Sequence, residues 1–232
     1  MTLDQHALPE QGLLFGAAVP VKYNEALYPA RRVMLDSGSE HWCSPAEVLD
    51  PVRAFAPIAF DPFSNPYSLV GAARSIMLPE DSLQIDWPLE GLTYANPPYG
   101  DALADCTRKI AEQARRGCEI LTLVPARVDT AWWQELLGPT LWCAWKGRLK
   151  FLETVESLEA RYAERVAKAQ AAGQKPPKRP QYKRIGPHLA EGETATFPAA
   201  LCYAGRARDR FIHLFAAHGK LYEQLAVAPG SR

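Results

Sequence analysis

The clearest periodic pattern in the chain begins shortly after residue 100. Apolar side chains three or four residues apart predict a helix that Asp101 can cap and that Gly117 ends. Its apolar face would consist of Leu103, Cys106, Ile110 and Ala114. The apolar run at 118–124 predicts a strand covered on both faces. With a helix at about 131–137 and a strand at Leu141–Trp145, the alternation predicts parallel strands with right-handed crossovers in a doubly wound sheet.

The N-terminal part of the chain is less regular. Residues 1–40 mix Pro, Gly and charged residues without a sustained period, which predicts an irregular extension. A capping box then runs from Ser44 to Glu47, with Pro45 at the first helical position, and Pro51 is expected to kink or end the helix early. The apolar face of this helix would be Val48, Leu49, Val52 and Phe55.

Two short strands are predicted upstream of residue 100. An apolar run at 57–60 leads into Asp61 and Pro62, and Leu92–Ala95 leads directly into the string 96–99. The segment between the two strands is too broken by Pro and Gly to assign. The string 96–99 therefore lies at the carboxyl end of a strand, where open α/β sheets bind ligands.

The string Asn96-Pro97-Pro98-Tyr99 indicates methyl transfer onto a planar amine. An aromatic amine is a poor nucleophile, and two acceptors, the Asn side-chain oxygen and the first Pro carbonyl, can draw its nitrogen toward tetrahedral geometry. The prolines fix the backbone that aims these acceptors. Tyr99 would offer a stacking face to an extruded base. The alternative is a simple turn between a strand and a helix, since Asn-Pro often opens turns.

The C-terminal half carries the only concentration of positive charge. From Glu153 a helical pattern runs to Gly173, and a proline-rich basic stretch follows. Six cations with no acid between them run from the end of this pattern through the stretch: Lys168, Lys175, Lys178, Arg179, Lys183 and Arg184, with Tyr182 among them. This stretch is either a solvated linker or a nucleic-acid contact in which the cations neutralise phosphates and Tyr182 stacks on a base.

Composition limits the alternatives. The chain has 232 residues, 47% of them hydrophobic, which predicts a single domain at 41–225 with an insertion at 153–193. The 26 basic and 26 acidic residues cancel, so an enzyme acting on nucleic acid must concentrate positive charge locally. Five scattered cysteines and five histidines show neither metal-ligand nor disulfide spacing, which predicts no metal and a reducing cytoplasm. The apolar stretch 13–21 is too short to span a membrane.

Several short motifs occur in one order along the chain. They are Trp42-Cys43-Ser44-Pro45, Phe60-Asp61-Pro62, Asp81-Ser82-Leu83 with Asp86-Trp87, the string 96–99, Leu123 to Arg127 with Thr130 and Trp132-Trp133, Gly147 to Phe151, and Phe197 to Leu201. In this order the chain resembles the phage-type DNA adenine methyltransferases of bacteriophages and prophages. The resemblance implies a Rossmann-like class I fold with a reduced N-terminal half. It also implies transfer of a methyl group from S-adenosylmethionine to adenine in double-stranded DNA, in the cytoplasm of a bacterial host.

The resemblance also implies a cofactor site. No glycine-rich loop precedes Asn96, so the usual glycine turn beside the methionine part is missing or replaced. The methionine end is expected against Trp42, Ser44 and Pro45. Asp61, followed by Pro62, is expected at the ribose hydroxyls, with an Asx turn as the alternative. Asp81 is expected at the adenine amine, with a surface charge as the alternative and Asp86 as a rival.

Three further cations are candidate DNA contacts. Arg127 follows a strand end on the expected active-site rim, although an ion pair with Asp129 or Glu135 is equally compatible with the sequence. Arg148 and Lys150 alternate with apolar residues in a strand-like pattern, which puts both charges on one face.

Other functions remain open at this point. The same tetrapeptide serves enzymes that methylate RNA adenine or a glutamine amide in protein, because all of these present a planar amine. The basic stretch favours nucleic acid over protein. A binding module that keeps the fold without cofactor affinity is a further alternative, which the missing glycine loop suggests and the intact tetrapeptide disfavours.

Overall fold

The computed structural model describes residues 42–136, 141–195 and 197–224. The irregular extension predicted for residues 1–40 lies outside these residues. The helices are α1 (Ala46–Phe55), α2 (Leu103–Arg115), α3 (Ala131–Leu136), α4 (Val155–Ala171) and α5 (Arg208–Phe215). Within the described part of the chain, no helix is long and apolar enough to cross a membrane.

A seven-stranded sheet in the order β10-β5-β9-β4-β3-β1-β2 forms the centre of the fold. Its strands are β1 (Ile58–Asp61), β2 (Arg74–Ser75), β3 (Leu92–Ala95), β4 (Glu119–Pro125), β5 (Leu141–Trp145), β9 (Ala199–Ala204) and β10 (Gly219–Glu223). Strands β2, β1, β3 and β4 are parallel neighbours. Strand β9 is antiparallel to both β4 and β5, so these two point the same way, and β10 is antiparallel to β5. The mostly parallel sheet is confirmed.

The position of β9 differs from the expectation that β5 follows β4 in the sheet. Strand β9 lies between them, paired with β4 through Leu123↔Leu201 and with β5 through Cys143↔Leu201. Its apolar residues 199–203 are buried. A late strand thus occupies the place where consecutive parallel strands would otherwise meet, because it can bond both neighbours with antiparallel ladders.

Both faces of the sheet are covered, as the apolar run in β4 predicted. Leu121 and Leu123 pack into the core cluster that also contains α1 and α5, whereas Ile120 and Val124 pack into the cluster that contains α2 and α3. This alternation follows from the two-residue period of a strand. Helices on both faces therefore hold the sheet and fix the positions of its strand ends.

Helix α1 corrects two expectations. The capping box is not formed: Pro45 is the N-cap residue, without a side-chain cap bond, and Ser44 Oγ instead lies 2.7 Å from Tyr94 Oη. The helix does not end at Pro51 but continues to Phe55. Burial of its predicted apolar face, which is less than 2% exposed at every position, offsets the missing Pro N–H.

Helix α2 has the predicted apolar face and ends before Gly117, whose φ is +101°. Asp101, however, does not cap it. Ala102 is the N-cap residue and makes no side-chain cap bond, and Leu103 N–H donates instead to the Gly100 carbonyl at 3.1 Å.

A second, three-stranded sheet was not predicted. It has the order β6-β8-β7, with β6 (Lys150–Thr154), β7 (Arg184–Ile185) and β8 (Leu189–Thr194). The helical pattern that was read from Glu153 begins at Val155, and Thr154 Oγ1 caps the helix by accepting from Ser157 N–H at 3.2 Å. The proposed insertion at 153–193 therefore contains α4, an extended basic stretch and most of this small sheet.

Candidate active site

The carboxyl ends of the parallel strands gather the candidate polar residues at one edge of the main sheet. Asp61 is the last residue of β1, and Asn96 directly follows β3, its neighbour in the sheet. Arg127 follows β4, the next strand along. The predicted convergence of strand ends on one edge is therefore present.

The motif 96–99 is held by the Tyr99 hydroxyl. Its oxygen lies 2.9 Å from Oδ1 of Asn96 and 3.1 Å from the carbonyl oxygen of Leu123 in β4. Burial raises the pKa of Tyr99 well above its ordinary value, so the hydroxyl stays protonated. Pro97 is buried, whereas Asn96 and Pro98 are half-buried. The motif is thus tied to the neighbouring strand, and its first residue remains accessible.

Three rings pack around Tyr99 of the motif, and the four together form what we call the aromatic cluster: Trp42, Tyr99, Phe151 and Phe197. Trp42 stacks on Phe151 at a centroid distance of 5.6 Å and on Phe197 at 6.3 Å. Tyr99 lies perpendicular to the other three rings, with centroids 5.4 to 5.9 Å away. A base inserted between two parallel rings needs about 7 Å between them, which is twice the van der Waals contact distance. The cluster is therefore packed ring on ring.

Pairing of the neighbouring residue with strand β6 of the second sheet places Trp42 in this cluster. Cys43 and Leu152 of β6 form an antiparallel bridge with N–H to carbonyl distances of 2.8 and 2.9 Å, which brings Trp42 beside Phe151. The indole Nε1 of Trp42 is buried and has no hydrogen-bond partner among the described residues. A buried donor without a partner is costly, so this N–H marks a place where a ligand acceptor would be favourable.

Ser44 and Pro45 lie between this cluster and α1. Ser44 is 2% exposed, and its hydroxyl is paired with Tyr94, the residue two positions before Asn96. Pro45 is buried and its carbonyl accepts from Val48 and Leu49 at 3.0 and 3.1 Å. Both residues therefore have a structural role that the sequence did not reveal.

Asp61 is 2% exposed. Its carboxylate accepts from Phe63 N–H at 3.2 Å, which is the Asx turn considered from the sequence, and from Ser68 Oγ at 3.3 Å. Burial is the largest influence and raises the pKa of this carboxyl to about 6, while the hydrogen bonds act to lower it. Pro62 is buried beside it.

The loop after β1 shows how the chain turns without glycine. No glycine occurs between Asp61 and Val70. Asn65 Oδ1 accepts from Tyr67 N–H at 2.9 Å, and the Tyr67 carbonyl lies 3.3 Å from Cys43 Sγ. Asx turns at Asp61 and Asn65 thus let the chain change direction here without a glycine.

Asp81 and its rival Asp86 lie at different edges of the sheet. Asp81 accepts from Leu83 N–H at 2.9 Å, in a second Asx turn. Burial raises the pKa of Cys106 near the start of α2, and the charges of Asp105 and Asp81 raise it further. Leu83 and Cys106 share a small cluster with Phe63. Asp86 is paired with Arg116 at 3.0 Å, just past the end of α2 and therefore at the amino edge of β4. This position at the opposite edge from Asn96 favours Asp81 over Asp86.

Arg127, Arg148 and Lys150 are the three further candidate DNA contacts. Arg127 is exposed and forms no ion pair with Asp129 or Glu135 in the described residues. Lys150 lies 3.8 Å from Glu191. Arg148 and Lys150 are both exposed, whereas Leu149 between them is buried, as the alternating pattern predicted.

The basic stretch folds back onto its own insertion. Arg179 pairs with Glu159 of α4 at 2.9 Å, and Lys183 pairs with Glu191 of β8 at 2.7 Å. Tyr182 is half-buried and donates to the Leu158 carbonyl at 3.2 Å, which ties its hydroxyl to α4. Lys175, Lys178 and Arg184 are exposed, and none of them is ion-paired to a described residue.

Four contributions to the site were missed from the sequence. Phe151 and Phe197 carry the aromatic cluster, Tyr94 holds Ser44, and the Leu123 carbonyl receives the Tyr99 hydroxyl. The two phenylalanines occur in the motifs at 147–151 and 197–201, which is the one sequence signal that could have marked them. In the described residues no group of three or more His, Cys, Asp or Glu could hold a metal ion.

Comparison with known proteins shows the family of the chain. A family model described as DNA N-6-adenine-methyltransferase (Dam) matches residues 33–172, which is more than half of the chain. The matched residues include the motif 96–99, Asp61 and Asp81. No curated protein and no solved structure matches the chain.

Proposed function

Because this chain belongs to the DNA N-6-adenine-methyltransferase (Dam) family, we propose that it transfers a methyl group from S-adenosylmethionine to the exocyclic amine of adenine in double-stranded DNA. The observation that carries this proposal is the position of the string 96–99 at the carboxyl end of β3, beside Asp61 of β1. The mixed α/β fold with its mostly parallel sheet is compatible with a methyltransferase. We assign it to the Rossmann-like class I type, reduced on the side of β1 and β2.

Asn96 and Pro97 would act on the target amine. The Asn96 side-chain oxygen and the Pro97 carbonyl each accept one amine hydrogen, which localises the lone pair on nitrogen as it attacks. Pro97 and Pro98 restrict the backbone, so the two acceptors stay aimed at one point. No general base is needed beforehand, because the nitrogen becomes acidic once it carries the new methyl group and then releases its proton.

The described residues fit a cofactor with one anionic end and a ribose. The unpartnered Trp42 Nε1 is a donor for a carboxylate, so we place the methionine end against Trp42, Ser44 and Pro45. Asp61 is ionised above about pH 6 and can accept from ribose hydroxyls, with Pro62 beside it, and Asp81 would meet the adenine amine. When bound, S-adenosylmethionine supplies the electrophilic methyl group.

The extruded adenine is placed at the aromatic cluster. The rings of the cluster are too close together to admit a base between them. The adenine would therefore stack on a ring face at the outside of the cluster, next to Asn96. Arg127, Lys175, Lys178 and Arg184, which are exposed and have no ion-pair partner among the residues that the structure describes, would neutralise phosphates. Arg148 remains a further candidate contact. Lys150, Arg179 and Lys183 would have to leave their carboxylate partners first, and Tyr182 would have to leave α4.

The first test is the nucleoside composition of DNA from a methylation-deficient host that expresses the protein, measured by mass spectrometry. We expect N6-methyladenine above the level of the empty-vector control. Its absence, with folded protein present, would overturn the proposed acceptor. Calorimetry with S-adenosylmethionine then separates an enzyme with another amine acceptor, which still binds the cofactor, from a binding module, which does not.

The second test is Asn96→Ala. Since the side chain is half-buried and contacts only the Tyr99 hydroxyl among the hydrogen bonds described, folding and cofactor binding should change little. Turnover should fall by about 10² to 10³, the scale of losing one well-aimed transition-state partner. A near-normal rate would remove Asn96 from the mechanism.

A further inference from the structure

The Tyr99 hydroxyl lies between two acceptors and has one proton. Its oxygen is 3.1 Å from the Leu123 carbonyl oxygen and 2.9 Å from the Asn96 side-chain oxygen. A protonated phenol donates a single hydrogen bond and accepts through its lone pairs. The Tyr99 hydroxyl therefore cannot donate to both oxygens at once. The chemistry of the two partners decides which of them accepts its hydrogen bond.

The Leu123 carbonyl depends on that proton because of Pro97. The register of β3 and β4 places Ala95 opposite Thr122, so Asn96 follows opposite Leu123. In a parallel ladder the Leu123 carbonyl, which faces β3, would accept the N–H of residue 97. Residue 97 is proline and has no N–H. Leu123 is fully buried, so its carbonyl would lack a donor unless the Tyr99 hydroxyl supplies it.

We infer that Tyr99 is a positioning residue: its hydroxyl donates to the Leu123 carbonyl and accepts an N–H from the Asn96 side chain. The two orientations of an amide exchange oxygen and nitrogen between almost identical positions, so the hydrogen-bond partners decide between them. With its proton committed to Leu123, Tyr99 can only accept, and the amide nitrogen of Asn96 must face it.

The orientation matters for the acceptor role of Asn96. With its nitrogen held by Tyr99, the side-chain oxygen is turned away from Tyr99 and is free to accept an amine hydrogen. In the opposite orientation the amide would present N–H groups to an amine that is itself a donor. This inference rests on the proposed function for its catalytic consequence, but the orientation is a property of the free protein.

Orientation is tested directly by NMR of the full-length wild-type chain labelled with ¹⁵N and ¹³C. The Asn96 side-chain amide is assigned by its loss in Asn96→Ala. A nuclear Overhauser effect between its protons and the ring Hε protons of Tyr99 is expected, because the nitrogen faces the hydroxyl. An assigned amide without this contact would overturn the inference, whether or not the protein methylates DNA.

The catalytic consequence is tested with Tyr99→Phe, which keeps the ring of the aromatic cluster and removes the hydroxyl. We expect kcat to fall about 10- to 100-fold, the scale of a misplaced reacting partner, with KM for DNA within about twofold. Tyr203→Phe is the matched control, since its hydroxyl is also partly buried but bonds Glu119 and Ala207 N–H at the opposite edge of the sheet. It should leave kcat unchanged.

A double variant distinguishes positioning from a general loss of structure. If Tyr99 acts through Asn96, Tyr99→Phe lowers the single-turnover rate of wild type but not that of Asn96→Ala. An equal fall in both backgrounds would refute the positioning role, as would an unchanged kcat in Tyr99→Phe. If Tyr99→Phe does not fold, the wild-type NMR contact still decides the orientation. Absence of N6-methyladenine with the NMR contact present would refute the proposed function alone.

Discussion

Removing three unpaired cations from the basic stretch should weaken DNA binding in a way that depends on salt. The triple variant Lys175→Gln, Lys178→Gln, Arg184→Gln removes three exposed positive charges that have no ion-pair partner in the described residues. Each cation that neutralises a phosphate contributes about 0.9 to the slope of log affinity against log salt concentration. If all three contact phosphates, the slope should therefore lose about 2.7.

The chain offers a matched control with the same change in net charge. The triple variant Lys150→Gln, Arg179→Gln, Lys183→Gln also removes three cations, but each of these is paired with Glu159 or Glu191. Because these ion pairs must be broken before a phosphate can take their place, the slope should change by clearly less than in the first variant.

The assay is fluorescence anisotropy with a labelled adenine-containing duplex at salt concentrations from about 50 to 200 mM, a range in which phosphate contacts dominate the salt dependence. An Asn96→Ala background slows turnover during the measurement. At about 0.1 M salt the first triple variant should bind roughly 10² to 10³ times more weakly, from extrapolation of the lost slope to 1 M. Equal slopes for the two variants would mean that only net charge matters. An unchanged slope in the first variant would make the stretch a linker.

Two further predictions concern stability, measured by urea unfolding. Gly91→Ala should lower the free energy of unfolding by about 2 to 4 kcal/mol, since φ is +79° and the new Cβ would lie 2.6 Å from Ala59 Cβ. Gly71→Ala is the control, with φ of +68° and open space around the new Cβ, and its loss of stability should be at least about 1 kcal/mol smaller. Equal losses of stability would contradict the steric argument. For Asp61, burial raises the pKa from 3.8 to about 6, so the folded state binds the proton more tightly, and this stabilising contribution is complete below pH 3.8 and lost as the pH rises through 6. The stability of Asp61→Asn relative to wild type should therefore rise by about 2 kcal/mol between pH 4 and 7, and a difference that does not vary with pH would refute the shifted pKa.

Local patterns predicted the elements that carry the motif. The bounds of β3 and β5 and the buried face of α2 follow from the apolar periods of the sequence, because a strand or helix that packs on a core must show that period. The caps were less predictable. Ser44 and Asp101 are residue types that favour N-cap positions. In the structure, however, the Ser44 hydroxyl is hydrogen-bonded to buried Tyr94, and Leu103 N–H donates to the Gly100 carbonyl rather than to Asp101.

The geometry of the site was less accessible from the sequence than its motif. The string 96–99 could be found by its residue types alone. The aromatic cluster depends on the bridge between Cys43 and Leu152, more than a hundred residues apart, and no local period encodes that pairing. The second partner of Tyr99 depends on the register between β3 and β4, which is set by packing across the whole sheet.

The place of β9 in the sheet has a consequence for the order in which the chain can fold. Strands β4 and β5 are made early, yet neither pairs with the other, and the strand that joins them ends at residue 204 of 232. During synthesis β5 therefore has neither of its sheet neighbours until β9 has emerged, because β10 follows β9 in the chain, and contacts of such long sequence separation form slowly. A fragment cut at residue 172, where the family match stops, would lack both sheet neighbours of β5, the strands β9 and β10. We expect such a fragment to aggregate rather than fold.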